Sequence, residues 1–194
     1  MKGENIVLIF FAALLVFSVS MLVLGNSQMT GYVTSGSTVS NVTIVNYLSI
    51  AMSTNLQAGI LFGSVSALPA TNINATHNYD GGSSASTMNL SVSTDSNVNV
   101  DFCIKANANL QDAGTDVIGI GNETYANATS TDATTPAVAS EVPLTTSNVK
   151  AGVNIAKGAS NHFRVWLDIP AAQAPGTYNN TIMFEGVATG GACS

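Results

Sequence analysis

The chain has 194 residues, a formal charge of −6 and 46% hydrophobic residues. Only 8% are charged, against about 25% in ordinary globular proteins, while Ser, Thr and Asn together fill 61 positions. Five basic residues (Lys2, Lys105, Lys150, Lys157 and Arg164) are too few for the phosphate-neutralising surface that nucleic-acid binding requires, and the scarcity of charge also excludes disorder by charge repulsion.

Residues 6–24, IVLIFFAALLVFSVSMLVL, open the chain with a 19-residue run that has no charge, Pro or Gly. As a helix this run spans roughly 29 Å, about the hydrocarbon thickness of a bilayer. Lys2 precedes it and Gly25-Asn26-Ser27-Gln28 ends it. Residues 1–25 therefore read as a signal peptide cut ahead of Asn26, or as a retained membrane-anchor helix. The run exceeds the signal core of about 7–15 residues, which keeps the second reading open. Lys2-Gly3 before the run also resembles the short class III leader of archaeal type IV pilins, although Glu4 and Asn5 would then open the mature helix. Each reading exports the chain.

From Thr30 onward the sequence reads as short strands between Gly, Asn and Ser turns. In chain order the candidates are 39–45, 48–53, 60–65, 88–93, 97–105, 117–120, 149–155, 162–169 and 177–187. In 97–105, Val98, Val100, Phe102 and Ile104 share one face; in 162–169, Phe163, Val165, Leu167 and Ile169 do. Such alternation leaves each strand half buried, as between two packed antiparallel sheets. The predicted fold is all-β: an immunoglobulin-like antiparallel β-sandwich over residues 47–194, preceded by one N-terminal hydrophobic helix. Residues 56–61 or 107–112 could form a short helical turn. Residues 112–143 and 71–86 are low in large apolar residues and read as surface loops, the first as an insertion.

Six N-x-[ST] sequons, at Asn41, Asn74, Asn89, Asn122, Asn127 and Asn179, suit an exported chain and predict N-glycosylation. Cys103 and Cys193 make an even count in that setting and predict a disulfide. No metal or cofactor is expected. Two cysteines and the distant His77 and His162 lack ligand spacing. Asp95-x-Asn97-x-Asn99-x-Asp101 begins like a calcium loop, to which Asp80 could add a carboxylate. Val100 and Ala106 stand where such a loop needs Gly and Glu, so the row reads as one polar strand face. His162 lies beside Arg164, Trp166 and Asp168, but there is no G-x-S-x-G elbow and no activated-cysteine signature. No enzyme is expected.

Two segments carry a family resemblance. Residues 42–70 place strands before F-G-x-V and a Pro; residues 166–187, WLDIPAAQAPGTYNNTIMFEGV, run from a strand through P-G-T-Y to T-I-x-F. With the hydrophobic leader, this order resembles TasA/camelysin-type surface β-sandwiches and their archaeal relatives, the bundling-pilus and thread subunits. The resemblance implies a homopolymer assembled head to tail by donor-strand complementation, with residues 26–46 as the donor. Tyr32, Val33, Val39, Val42 and Ile44 would be its apolar knobs. A retained helix would instead imply a type IV-like filament with a helical core, or a membrane-anchored adhesin. The adhesin would bind carbohydrate through loop residues such as Tyr79, Asp80 and Tyr125.

Overall fold

A computed structural model describes residues 11–15, 37–78, 88–131 and 134–194. The chain divides into two units, Met1–Thr43 and Ile44–Ser194. In the first, residues 11–15 are helical and exposed, and residues 37–43 are exposed without regular structure. The rest of the hydrophobic run, together with Tyr32 and Val33, lies outside the described residues. Among the described residues no helix is long and apolar enough to cross a membrane.

The second unit is built from antiparallel strands. They are β1 (Ile50–Met52), β2 (Ala70–Asn74), β3 (Asn89–Val92), β4 (Val100–Ala106), β5 (Leu110–Gln111), β6 (Val117–Ile118), β7 (Glu123–Ala128), β8 (Val142–Pro143), β9 (Val149–Ile155), β10 (Ser160–Ile169) and β11 (Ile182–Ala188). A six-stranded sheet runs β1-β3-β10-β7-β8, with β2 also paired to β10. A three-stranded sheet runs β11-β4-β9, and β5 pairs with β6.

Alternation decides the packing. Val100, Phe102 and Ile104 of β4, with Ala151 and Ile155 of β9, face Leu90, Val92, Tyr125, Phe163 and Val165 of the larger sheet in one buried cluster. Phe163 sits at its centre, 5.4 Å edge-on from Phe184 and 6.5 Å from Tyr125, ring to ring. The result is sandwich-like, with a second small cluster of Leu110, Ile118 and Leu167. Gly186 is required at its place in β11, because a Cβ there would meet Ile50 Cγ2 at 2.8 Å. One helical turn, α1 (Thr54–Gln57), is capped by the Ser53 hydroxyl, which accepts from Leu56 N at 3.3 Å. It buries Leu56.

Several sequence expectations change. Residues 112–143 are not a surface insertion: they supply β7, which pairs with β10 over six residues and puts Tyr125 in the core at 2% exposure. The strand ETYANA carries one large apolar side chain, too few to show a period. The same stretch also covers the outer face of β10, where Arg164 Nη1 donates to Pro136 O at 2.7 Å. Arg164 and Trp166, on the polar phase, are buried as well, the second with its Nε1 donating to Asn74 Oδ1 of β2. The loop at 71–86 hides β2, and the helical turn considered at 107–112 is β5 instead. Residues 60–65 form no strand, although Ile60 and Phe62 pack against the core. Residues 39–45 form none either.

Phe163→Ala should cost about 3–5 kcal/mol in denaturant unfolding, as expected for a buried aromatic deleted from a packed core. Val42→Ala should stay within about 0.5 kcal/mol, since its site is exposed.

Candidate functional site

Two regions gather the residues singled out in the sequence. The first is the segment leading into β1. Val39, Val42, Ile44 and Val45 are 91%, 82%, 80% and 74% exposed. Four apolar side chains in a row of seven residues are an unusual concentration in water, where burying each would contribute about 1.5–3 kcal/mol. Asn97 holds the end of this run. Its Nδ2 donates to Val45 O at 3.0 Å, its Oδ1 accepts from Tyr47 N at 2.8 Å, and its own N–H donates to Tyr47 O at 3.0 Å. Beyond that, Ser49 N donates to Ser96 Oγ at 3.1 Å, and Ser93 N donates to Ser49 O at 2.9 Å. The segment is thus anchored from residue 45 onward.

The second region is the outer face of the three-stranded sheet, covered by residues 189–194. Cys103 and Cys193 form the expected disulfide, with Cα atoms 5.9 Å apart. Asp101, also on that face, is buried and accepts from Lys150 Nζ at 2.7 Å, Asn154 N at 2.8 Å and Gly190 N at 3.1 Å. Burial opposes its ionisation. The Lys150 and backbone hydrogen bonds, with the Lys150 charge, outweigh burial and hold the carboxyl down at about 2. Glu185 accepts from Ser194 Oγ at 2.6 Å and Ser194 N at 3.1 Å, and these bonds lower its pKa. Asn148 Nδ2 and Lys105 Nζ donate to Ser194 O.

The calcium-like row is dispersed among separate tasks. Asp95 is exposed, Asn97 clamps the incoming segment, Asn99 Nδ2 bonds Asn154 Oδ1 at 2.8 Å, and Asp101 pairs with Lys150. Asp80 and Tyr79 lie outside the described residues. Among the described residues no group of three or more His, Cys, Asp or Glu side chains could hold a metal ion. The cluster around His162 is likewise divided. Trp166 Nε1 donates to Asn74 Oδ1 at 2.8 Å, Asp168 accepts from Asn72 N at 2.7 Å, and burial lowers the pKa of His162. Tyr125, considered as a loop ligand residue, belongs to the core.

Of the sequon asparagines, Asn41, Asn74, Asn127 and Asn179 are exposed, and Asn89 and Asn122 are half-buried. Asn179 borders a polar depression with Asn107, Asn109, Gln111, Asp112 and Asn180. Its amides serve as loop ties: Asn109 Oδ1 accepts from Ile120 N at 2.9 Å, and Asn180 Nδ2 donates to the buried Glu123 at 2.8 Å. Burial raises the Glu123 pKa against that hydrogen bond. Scans against protein-family models, curated proteins and solved structures find no match to this chain.

Cys193→Ser should cost about 2–5 kcal/mol in non-reducing denaturation, since the bridge closes a loop of 90 residues. Asp101 has a folded pKa below its usual 3.8, so its stabilisation is present above that value and is lost as pH falls through about 2. The stability difference between the wild type and Asp101→Asn should therefore be flat at neutral pH and shrink between about pH 4 and pH 2, measured by pH-dependent thermal unfolding.

Proposed function

We propose that this chain is a non-catalytic structural subunit of an extracellular filament or cell-surface layer, self-assembling head to tail by donating residues 26–46 to the next copy. The observation that carries this reading is the exposed run from Val39 to Val45, which has no ladder partner among the described residues and ends at the firmly clamped Val45. An extended apolar strand of this kind gains backbone hydrogen bonds and buried surface together when it adds to another sheet. A head-to-tail contact repeats without closing and so builds a fibre.

Other features fit an outside address. The disulfide suits an oxidising compartment. Sequons at the exposed Asn41, Asn74, Asn127 and Asn179 suit a surface N-glycosylated in place of charge. The immunoglobulin-like topology, the TasA-like kinship and an archaeal source belong to the same reading. A second arrangement, a type IV-like filament with a helical core, draws support from the exposed helical turn at residues 11–15, which includes Phe11, Leu14 and Leu15.

Val42→Asp combined with Ile44→Asp tests the donor role in the full chain. Both positions are exposed, so the monomer's melting temperature should be unchanged, while the polymer seen by sedimentation and electron microscopy should be lost. Undiminished polymer from the double variant would remove the donor-strand reading and favour the helical core.

A further inference from the structure

Among the described residues five strands of the two main sheets have a free edge: β1, β8 and β2, which pairs with β10 alone, on the larger sheet, and β9 and β11 on the smaller. An edge strand offers a row of unpaired amides to any other strand unless it is short, bulged, or interrupted by Pro or charge. β1 has three residues, β2 shifts register against β10 and turns at Asn72 with φ of 53°, and β8 has two residues and ends in Pro143. β9 shifts register against β4, carries the exposed Lys150, and turns at Asn154 with φ of 57°. β11 has none of these features except a single charge, Glu185. It runs seven residues without Pro or Lys, in unbroken register from Ile182↔Ala106 to Ala188↔Val100.

The register also fixes which amides are free. Asn107 N donates to Thr181 O and Thr189 N donates to Asn99 O, so the odd-numbered residues bond toward β4. The alternation of an antiparallel ladder then turns the N–H groups of Ile182, Phe184, Gly186 and Ala188 to the open edge. Among the described residues β11 pairs with β4 alone, and of the edge-facing groups only Ala188 O is bonded, by Gly191 N. Phe102 and Ile104 on β4 are wholly buried, yet Ile182 and Phe184 beside them are half-buried. Ile50 is half-buried at the same seam, where its side chain lies against Gly186.

We propose that the open edge of β11 receives residues 39–45 of a second copy as a fourth strand of the smaller sheet; the inference rests on the self-assembly reading above. The occupant follows from the match. Both segments are seven residues long, and residues 5–79 contain no Asp, Glu, Lys or Arg. Glu185, the one charge on β11, is already held by Ser194. On an added strand Val42 and Ile44 share the face toward the seam, which leaves the sequon Asn41 on the opposite, outer face.

Residue-resolved amide hydrogen exchange on the assembled wild type, with the Val42→Asp/Ile44→Asp chain as the monomer reference, tests this. The amides of Ile182, Phe184 and Gly186 should exchange freely in the monomer. In the polymer they should slow on the order of tenfold or more, together with alternate amides of residues 39–45. Met183, Glu185 and Val187 should be protected in both. If residues 39–45 become protected while those three β11 amides stay fast, the edge assignment is overturned and self-assembly stands. Protection of both in wild-type monomer at high dilution would make the chain's own segment the occupant, and would also overturn it. Absence of any polymer, or of protection in both segments, would remove the self-assembly reading and the edge assignment together.

Discussion

Every N–H and C=O that leaves water must find a partner, and this chain meets that requirement almost without charges. Its side-chain amides take the place that paired strands or ions hold elsewhere. Asn78 donates through Nδ2 to Val165 O at 2.7 Å and accepts through Oδ1 from Val165 N at 2.8 Å. It thereby continues the β2–β10 ladder with a side chain standing in for a peptide group. Asn97 does the same for residues 45 and 47, and Asn161 of β10 donates to Ala151 O of β9 at 2.8 Å, from one sheet to the other. An asparagine offers one donor group and one acceptor in nearly peptide geometry. The abundance of Asn in the composition is, in part, an abundance of substitute backbone.

The same requirement separates the settled parts of the sandwich from the unsettled ones. On the larger sheet, β10 is paired on both sides, with β3 and β2 dividing one side and β7 taking the other. On the smaller sheet, β4 is flanked by β9 and β11, and its outer face is closed by residues 189–194 through the disulfide and Asp101. Among the described residues, the long unbulged edge of β11 and the run from Val39 to Val45 remain open. Each has what the other lacks: one offers apolar side chains, the other a half-covered apolar seam.

Strands whose inward residues are large could be read directly from the sequence. β4, β9 and β10 appear close to the expected places because Val, Ile and Phe recur at period two. β7 was illegible, since Tyr125 is its one large apolar residue, in phase with Glu123 and Asn127, and its burial comes from lying beside β10. β2 was hidden in the same way by ATNIN. Val42 and Ile44 alternate as in a true strand, so period alone could not show that residues 39–45 form none. Within the candidate site, the disulfide was legible from cysteine count, while the roles of Asn97 and Asp101 depend on contacts between distant segments. The polar phase of a strand does not reveal that a later stretch of chain will cover it.

The central claim is that copies of this chain join through an exposed N-terminal strand. Electron microscopy of native surface material, with N-terminal sequencing of the same sample, tests it most directly. The account predicts unbranched filaments of one subunit size whose chains begin at or near Asn26, leaving residues 30–45 free to dock. Membrane-bound monomers that begin at Met1, with no filaments in the preparation, would contradict it.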